Sequence, residues 1–472
     1  MTSSLRSALA AVSLLALTAA VPAMAEEAAP AATAAAVVPE TTPAAPEAAP
    51  PPAADPAAAP AAAADPAAAP APGADPAATP VKPKVKKRRP AGAYASASVP
   101  IPTLQTPWSS IPTLDSGSLN RLNTLSQFYA TIARNGGFPA APPVGLGPKA
   151  SGQPVLNLRA RLVMERDLPA GERDIAAWDE GLTAAVKNFQ MRYGLVPTGR
   201  VDDRTRAQMA VPVQQRLIQI GHNMERLGAR FIDFNQRYVV VNIPSAQVEA
   251  IEGTTISRKY VAVVGRPLNP SPEVDATISA VNINPTWTVP QSIIKKEIAP
   301  HMLKDPTYLS RQRMKVLDGS GKPVDPASVN WASDKIVNYT VRQDYGGGNA
   351  LGQLRIQMPN PEAVYMHDTP SKNLFGSVDR FFSHGCVRVQ GVNDLAAWLL
   401  GPGWDAKRVA QEIGTGERKD LSIPDRVPVH WVYMTAYVTP DGTAHFRPDV
   451  YGIDFGVNTR ISQIAQAGGV PD

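Results

Sequence analysis

Between residues 116 and 227, apolar residues recur at steps of three and four positions, which is the spacing of amphipathic helices. Gly136-Gly137 follows the first stripe and favours termination of that helix. Asp179 stands directly before a later stripe and is a typical N-cap residue. The pattern predicts five helices: 116–134, one starting at Val155, one after Asp179, a short one after Asp202 that ends before Pro212, and 213–227. The apolar stripe of the last helix consists of Leu217, Ile220, Met224 and Leu227.

From Arg237 onward the pattern changes to short β-branched runs separated by turn residues, which predicts strands. Residues 291–343 interrupt these runs with a helix that begins after Pro290 and a hairpin around 318–321. We interpret this segment as an insertion over the sheet, a candidate lid. A further helix is predicted over 391–400. The predicted strands are 238–243, 259–264, 278–283, 352–358, 363–367, 386–389, 427–436 and 444–447.

The N-terminal hundred residues have a different composition, rich in alanine and proline. Residues 1–25 have the features of a secretory signal: Arg6, a short apolar core over 9–21 and an Ala-Met-Ala cleavage site. Residues 26–100 bury too little to repay their ordering entropy and are predicted to form a disordered spacer. We therefore expect export to the periplasm, with no transmembrane span in the mature chain. An uncleaved signal that tethers the protein to the inner membrane is the alternative.

The formal net charge of +5 is modest for 472 residues and gives no reason to expect a nucleic-acid partner. Part of it lies in the basic run 82–89. Such a run is either the solvated end of a linker or a contact for anionic lipid or an acidic wall polymer.

These patterns predict a multi-domain α+β protein with a mainly β catalytic domain. The expected divisions are a signal peptide (1–25), a disordered linker (26–100), a short helical segment and loop (101–150), a small helical bundle module (151–212), a connecting helix (213–234), the catalytic domain (235–455, with the lid at 291–343) and a C-terminal tail (456–472).

The chain has one cysteine, Cys386, so it has no internal disulfide. An exported unpaired thiol is a liability unless its chemistry is used. A neighbouring imidazole that takes the thiol proton would leave a thiolate nucleophile beside an imidazolium. His367, at the end of a predicted strand, is our candidate for this base, and His384, two residues before the cysteine, is the competitor.

Residues next to the cysteine suggest how a substrate would be held. Gly385 lets a carbonyl approach the backbone closely, and backbone N–H groups near it would stabilise an oxyanion. Arg388 shares a face with Cys386 in a strand and is suited to a substrate carboxylate. A zinc site of His367, His384 and Cys386 is a weaker alternative, because the chain has no CxxC or HExxH motif. We expect no metal and no cofactor.

The motif His367 … Ser383-His384-Gly385-Cys386-Val387-Arg388 resembles the catalytic signature of the L,D-transpeptidases. Asn284-Pro285-Thr286-Trp287-Thr288-Val289-Pro290, Asn349-Ala350-Leu351-Gly352 and Tyr365-Met366-His367-Asp368-Thr369-Pro370 are also similar to that family, in particular to its large periplasmic Gram-negative subclass. The resemblance implies Cys386 and His367 as nucleophile and base, with Gly385, Arg388, His384, Ser383 and Tyr365 as oxyanion or substrate-binding residues. The stretch Asp344-Tyr345-Gly346-Gly347-Gly348 departs from the family, where it is often Pro-Gly-rich.

The same resemblance implies a function. Cys386 would attack a peptidoglycan tetrapeptide stem, and the amine of a second stem would resolve the thioester to give a 3→3 crosslink, with carbapenems as expected inhibitors. Attachment of outer-membrane proteins to peptidoglycan, or L,D-carboxypeptidase trimming when water resolves the thioester, would use the same intermediate. A non-catalytic wall-binding scaffold is the alternative from another class.

The string AVKNFQMRYGLVPTGRVDDRT, within 151–212, resembles the small three-helix peptidoglycan-binding domain. The resemblance implies that this module holds the wall polymer, but it assigns no binding residue. A helical spacer that only positions the catalytic domain is the alternative.

Overall fold

The computed structural model describes residues 110–234 and 237–455. The predicted signal peptide, the spacer, the start of the 101–150 segment and the tail 456–472 lie outside the described residues. Among the described residues, no helix is long and apolar enough to cross a membrane.

Five helices form the N-terminal half of the described chain, as the apolar spacing predicts. Asp179 and Asp202 are N-caps, whose carboxylates accept the backbone N–H of Leu182 at 2.7 Å and of Thr205 at 2.8 Å. The helices are α1 (Ser118–Arg134), α2 (Gln153–Met164), α3 (Glu180–Arg192), α4 (Asp203–Met209) and α5 (Val213–Gly228).

These helices share one hydrophobic core with a C-terminal hairpin, β14 (Ala436–Val438) and β15 (Ala444–Phe446). The ring of Tyr193 stacks on Phe446 with the centroids 5.2 Å apart. This hairpin, the last in the described residues, therefore packs against the helical half.

The predicted apolar stripe of α5 packs against this core. Ile220 is fully buried, and Leu217, Met224 and Leu227 are half-buried against it. The buried face carries polar side chains: Gln219 donates to the Thr435 carbonyl at 3.1 Å, and Asn223 donates to the Thr435 hydroxyl at 2.7 Å. The polar face is buried because it supplies hydrogen bonds to the chain that leads into the hairpin.

The described residues from Arg237 onward are built on a nine-stranded sheet. Its strands are β1 (Arg237–Asn242), β2 (Gln247–Glu252), β3 (Thr255–Gly265), β4 (Val274–Ile283), β9 (Leu354–Gln357), β10 (Met366–His367), β11 (Phe381–Ser383), β12 (Val387–Val389) and β13 (Lys419–Val432). Their order across the sheet is β11-β3-β12-β10-β9-β4-β13-β1-β2. Helices α9 (Val392–Leu400) and α10 (Ala406–Gly414) pack on its apolar face.

The insertion forms a separate layer with its own hydrophobic core. The elements of the insertion are β5 (Trp287–Thr288), α6 (Gln291–Ile293), the π-helical Ile294–Ile298, α7 (Ala299–Lys304), α8 (Tyr308–Arg311), β6 (Met314–Leu317), β7 (Pro323–Val324) and β8 (Thr340–Gln343). Its four strands form a sheet in the order β5-β8-β6-β7. The hairpin predicted around 318–321 joins β6 to β7.

Several elements were not predicted, namely β2, β5, β8, β11, α10 and the first half of β13. In α10 the buried Val409 and Ile413 lie one turn apart, so a helical signal was present and was missed. β13 begins eight residues before its predicted start at 427, because residues 419–422 also pair with β4, with a break in register between Ser422 and Val427.

Candidate active site

The pairing of three central strands brings the predicted site residues to one face of the sheet. β10 runs parallel to β12 with His367 opposite Arg388, and the N–H of Val387 donates to the Tyr365 carbonyl at 3.1 Å. Because alternate residues share a face, Tyr365 and His367 lie on the same side as Cys386 and Arg388. The residues between them, including Val387, point into the core.

Cys386 lies at this face and is partly buried, packed against the main core. Burial raises the pKa of the thiol to about 11. Other contacts act against burial and lower this pKa: hydrogen bonds from the backbone and side chain of Tyr365, and the positive charges of Arg388 and Arg355. The thiol is therefore protonated at neutral pH, with several groups in place to stabilise negative charge on sulfur.

His367 is 5% exposed. Burial is the main cause that lowers the pKa of its imidazole to about 4, and the charge of Arg388 lowers it further. Backbone hydrogen bonds with Asp368 and Leu351 raise the pKa in the opposite direction. Nδ1 has no hydrogen-bond partner among the described residues, so this nitrogen is buried and free to accept a proton.

These pKa directions correct one expectation. The sequence suggested a thiolate held beside an imidazolium, but burial makes both charged forms unfavourable, so Cys386 and His367 are neutral in the free protein. The imidazole is then in its basic form without a preformed ion pair.

Gly385 and Ser383 shape the turn before the cysteine. Gly385 has φ +117°, a conformation that L side chains rarely adopt. Its N–H donates to the Ser383 hydroxyl at 3.2 Å, and that hydroxyl donates to the Cys386 carbonyl at 2.6 Å. The Gly385 N–H is therefore already hydrogen-bonded. Of the backbone N–H groups near this turn that were expected to bind an oxyanion, the N–H of Cys386 is the better candidate.

Arg388 shares this face and has a guanidinium N–H without a hydrogen-bond partner among the described residues. This group is its Nε, which is buried. Burial lowers the pKa of its guanidinium, and the nearby Cys386 raises it. A guanidinium with a spare buried donor is suited to a carboxylate ligand.

His384 is turned toward the lid. Its Nε2 lies 2.5 Å from Oε1 of Glu297 and 2.8 Å from a guanidinium nitrogen of Arg266. Glu297 belongs to the π-helical turn of the insertion and also pairs with Arg266 at 3.3 Å. This ring is therefore engaged in a contact between the lid and the cysteine turn, which favours His367 as the base.

Two site residues were not singled out by the sequence. Trp287, on the first strand of the insertion, hydrogen-bonds to the Tyr365 hydroxyl. Arg355 lies opposite His367 on β9, with its guanidinium carbon 5.4 Å from the centroid of the Tyr365 ring. Trp287 stands in the family-like stretch 284–290, whereas Arg355 had no local signal beyond strand alternation.

Gly352 is required by a close approach behind His367. It has φ +63°, and a Cβ on it would lie 2.3 Å from Oδ2 of Asp368. That carboxylate accepts the N–H of Gln353 at 3.1 Å and pairs with Lys372. Its position next to His367 links the glycine to the orientation of the imidazole.

We expect Gly352→Ala to lower the free energy of unfolding by roughly 2 kcal/mol, because both the backbone and Asp368 must shift. Thermal unfolding measures the effect. Gly347→Ala is the matched control, since a Cβ there meets nothing within 4 Å. Equal melting temperatures for the two variants would contradict the close-packing argument.

Within residues 110–234 and 237–455, no group of three or more His, Cys, Asp or Glu side chains is placed to hold a metal ion. His384 is instead bonded to Glu297 and Arg266.

Comparison with known proteins gives two matches along the chain. Residues 236–429 match the family described as "L,D-transpeptidase catalytic domain", and residues 151–209 match the "Putative peptidoglycan binding domain". A Haemophilus influenzae protein described as "Putative L,D-transpeptidase" is 34% identical over 242 residues. That alignment covers 51% of this chain and 49% of the relative, so the chain spans about half the length of the curated relative.

Similar solved structures include an L,D-transpeptidase from Mycobacterium smegmatis, at 17% identity and a TM-score of 0.20, covering 42% of this chain and 58% of that one. Another is the catalytic domain of an Enterococcus faecium L,D-transpeptidase acylated by ertapenem, at 11% identity and a TM-score of 0.21, covering 43% and 100%. These structural likenesses are too weak to add to the sequence matches. On those matches, residues 236–429 are similar to the L,D-transpeptidase catalytic domain, and the preceding residues 151–209 are similar to a putative peptidoglycan binding domain.

Proposed function

We propose that the protein is a periplasmic L,D-transpeptidase that forms 3→3 crosslinks in peptidoglycan, with Cys386 as nucleophile and His367 as base. The observation that carries the proposal is the shared face: the chain's single cysteine and a buried imidazole with a free Nδ1 lie on adjacent strands of the matched catalytic domain.

The first half-reaction is acylation. Sγ of Cys386 attacks the carbonyl carbon of the third stem residue of a donor tetrapeptide while Nδ1 of His367 takes the thiol proton. The tetrahedral intermediate collapses with cleavage of the C–N bond. His367 returns the proton to the leaving amine of D-alanine, and a thioester on Cys386 remains.

The second half-reaction is transfer. The side-chain amine of an acceptor stem attacks the thioester carbon, and His367 accepts a proton from that amine. Collapse forms the new amide bond and releases the thiolate, which takes the proton from His367. The cycle returns both groups to their neutral forms.

The other residues hold charge and exclude water. The Tyr365 hydroxyl and the Cys386 N–H would stabilise negative charge at sulfur or at the oxyanion, and Arg388 would bind a stem carboxylate. The insertion, attached to the cysteine turn through Glu297 and His384, would favour an amine over water as acceptor.

The helical module at 151–209 would bring the enzyme to the wall polymer before catalysis. Peptidoglycan stems are then the donor and acceptor, and carbapenems, which mimic the donor, would acylate Cys386. An outer-membrane protein amine in place of the second stem would use the same thioester.

The rate of carbapenem acylation should be nearly flat between about pH 5.5 and 9. Below this range it should fall with a midpoint near pH 4, because protonation of His367 removes the base, and the pKa of this imidazole is about 4. Intact-protein mass spectrometry of short reactions measures the rate. A midpoint near the ordinary imidazole value of about 6.5 would show that another group is the base.

Muropeptide analysis tests the proposed function. Purified protein incubated with tetrapeptide-bearing disaccharide should release D-alanine and form a dimer whose mass fits a 3→3 linkage. A tripeptide product alone would mean L,D-carboxypeptidase activity, and coupling only to an added outer-membrane protein would mean protein attachment. No release of D-alanine, together with binding to sacculi, would support a non-catalytic scaffold.

A further inference from the structure

Arg355 is fixed from behind by a row of side chains that crosses three strands. Asp420 lies opposite Asn282, and Asn282 lies opposite Arg355, so the three are neighbours on one face. The Asn282 amide donates to Asp420 at 2.7 Å, and Nε of Arg355 donates to the Asn282 carbonyl oxygen at 2.8 Å. The guanidinium therefore has a defined position on the sheet.

On its other side, the guanidinium contacts the ring of Tyr365. The 5.4 Å separation between the guanidinium carbon and the ring centroid is within the range of a cation–π contact. The edge of the same ring meets His367, with centroids 5.7 Å apart. Its hydroxyl hydrogen-bonds to Cys386 and receives a hydrogen bond from Trp287. Tyr365 thus lies between Arg355 and the sulfur.

We propose that Arg355 is a positioning residue of the Cys386 site: Asp420 and Asn282 fix its guanidinium, which holds the Tyr365 ring so that the hydroxyl donates to Sγ. The proposal rests on Cys386 being the nucleophile of the proposed function. A hydrogen bond to a buried sulfur depends on sub-ångström placement, so the fixed position of the guanidinium matters as well as its charge.

Arg355→Lys separates these two contributions, because lysine keeps the positive charge but loses the flat surface and the fixed fork. The probe is alkylation of the full chain by iodoacetamide, which reports on the single cysteine and needs no peptidoglycan. At pH 8 we expect Arg355→Lys to slow alkylation about fivefold. We expect the pH midpoint of alkylation to move upward, because the thiolate loses a donor.

A double-mutant cycle with Tyr365→Phe tests the route of the effect. In the Tyr365→Phe background, Arg355→Lys should change the alkylation rate by less than about twofold, since the hydroxyl that Arg355 positions is gone. Asp420→Ala, at an exposed position that should tolerate substitution, should give a smaller slowing that also disappears in that background. Arg258→Lys, on the half-exposed side chain of β3, is the control and should have no effect.

An equal slowing by Arg355→Lys in both backgrounds would overturn the proposal, and so would no slowing in either. The outcome is independent of the crosslinking test. A non-additive cycle together with no release of D-alanine would reject the proposed function but not the positioning of Tyr365, whereas an additive cycle with active crosslinking would reject the positioning alone.

Discussion

Cys386→Ala is expected to abolish crosslinking, with a loss of at least about 10⁴-fold in the rate of D-alanine release. No other thiol in the chain is able to replace it, since Cys386 is the single cysteine. Any turnover that remains in this variant proceeds without a covalent intermediate. Intact-protein mass spectrometry should therefore show no carbapenem adduct.

The same variant should remain folded and should still bind sacculi. Cys386 is partly exposed and packs only at the margin of the main core, so a methyl side chain leaves a small defect. Sacculus pull-down and thermal unfolding check this. Crosslinking that survives in Cys386→Ala would assign the chemistry to another residue.

His367→Ala should slow acylation by about 10³-fold or more, because it removes the proposed base, whose Nδ1 is buried without a hydrogen-bond partner among the described residues. His384→Ala should slow it by less than about tenfold, since that ring bonds to Glu297 and Arg266 and would act only through the lid contact. Rates of ertapenem acylation, followed by mass spectrometry, compare the two variants directly.

His367→Gln is a useful companion to the alanine variant, because it keeps polar atoms in the buried space and limits collapse. It should be as inactive as His367→Ala, since an amide is not a base at neutral pH. If His384→Ala were the more damaging substitution, the assignment of the two histidines would have to be exchanged.

The helical half of the fold was predictable because its apolar stripes and N-caps are local signals. The N-cap predicted at Asp179 is confirmed, and the helix predicted after Asp202 begins there, with Asp202 as its cap. The polar buried face of α5 was not predictable, because Gln219 and Asn223 are satisfied by Thr435, more than two hundred residues later. No local pattern encodes such a partner.

The site was predictable where a motif carried it and unpredictable where sheet pairing did. Cys386 and His367 stood out from residue type and resemblance. Arg355 entered the site only through the register of β9 against β10, which depends on long-range strand order. The neutral state of the Cys386–His367 pair also follows from burial, which the sequence does not give.

Formation of a thioester on Cys386 is best tested by peptide mapping of the trapped acyl-enzyme. The full chain is incubated with ertapenem, digested and sequenced by tandem mass spectrometry. One adduct is expected, on the peptide that contains Cys386, formed in wild-type protein and absent from His367→Ala on the same time scale. An unmodified Cys386 in protein that forms 3→3 crosslinks, or an adduct on any other residue, would contradict it.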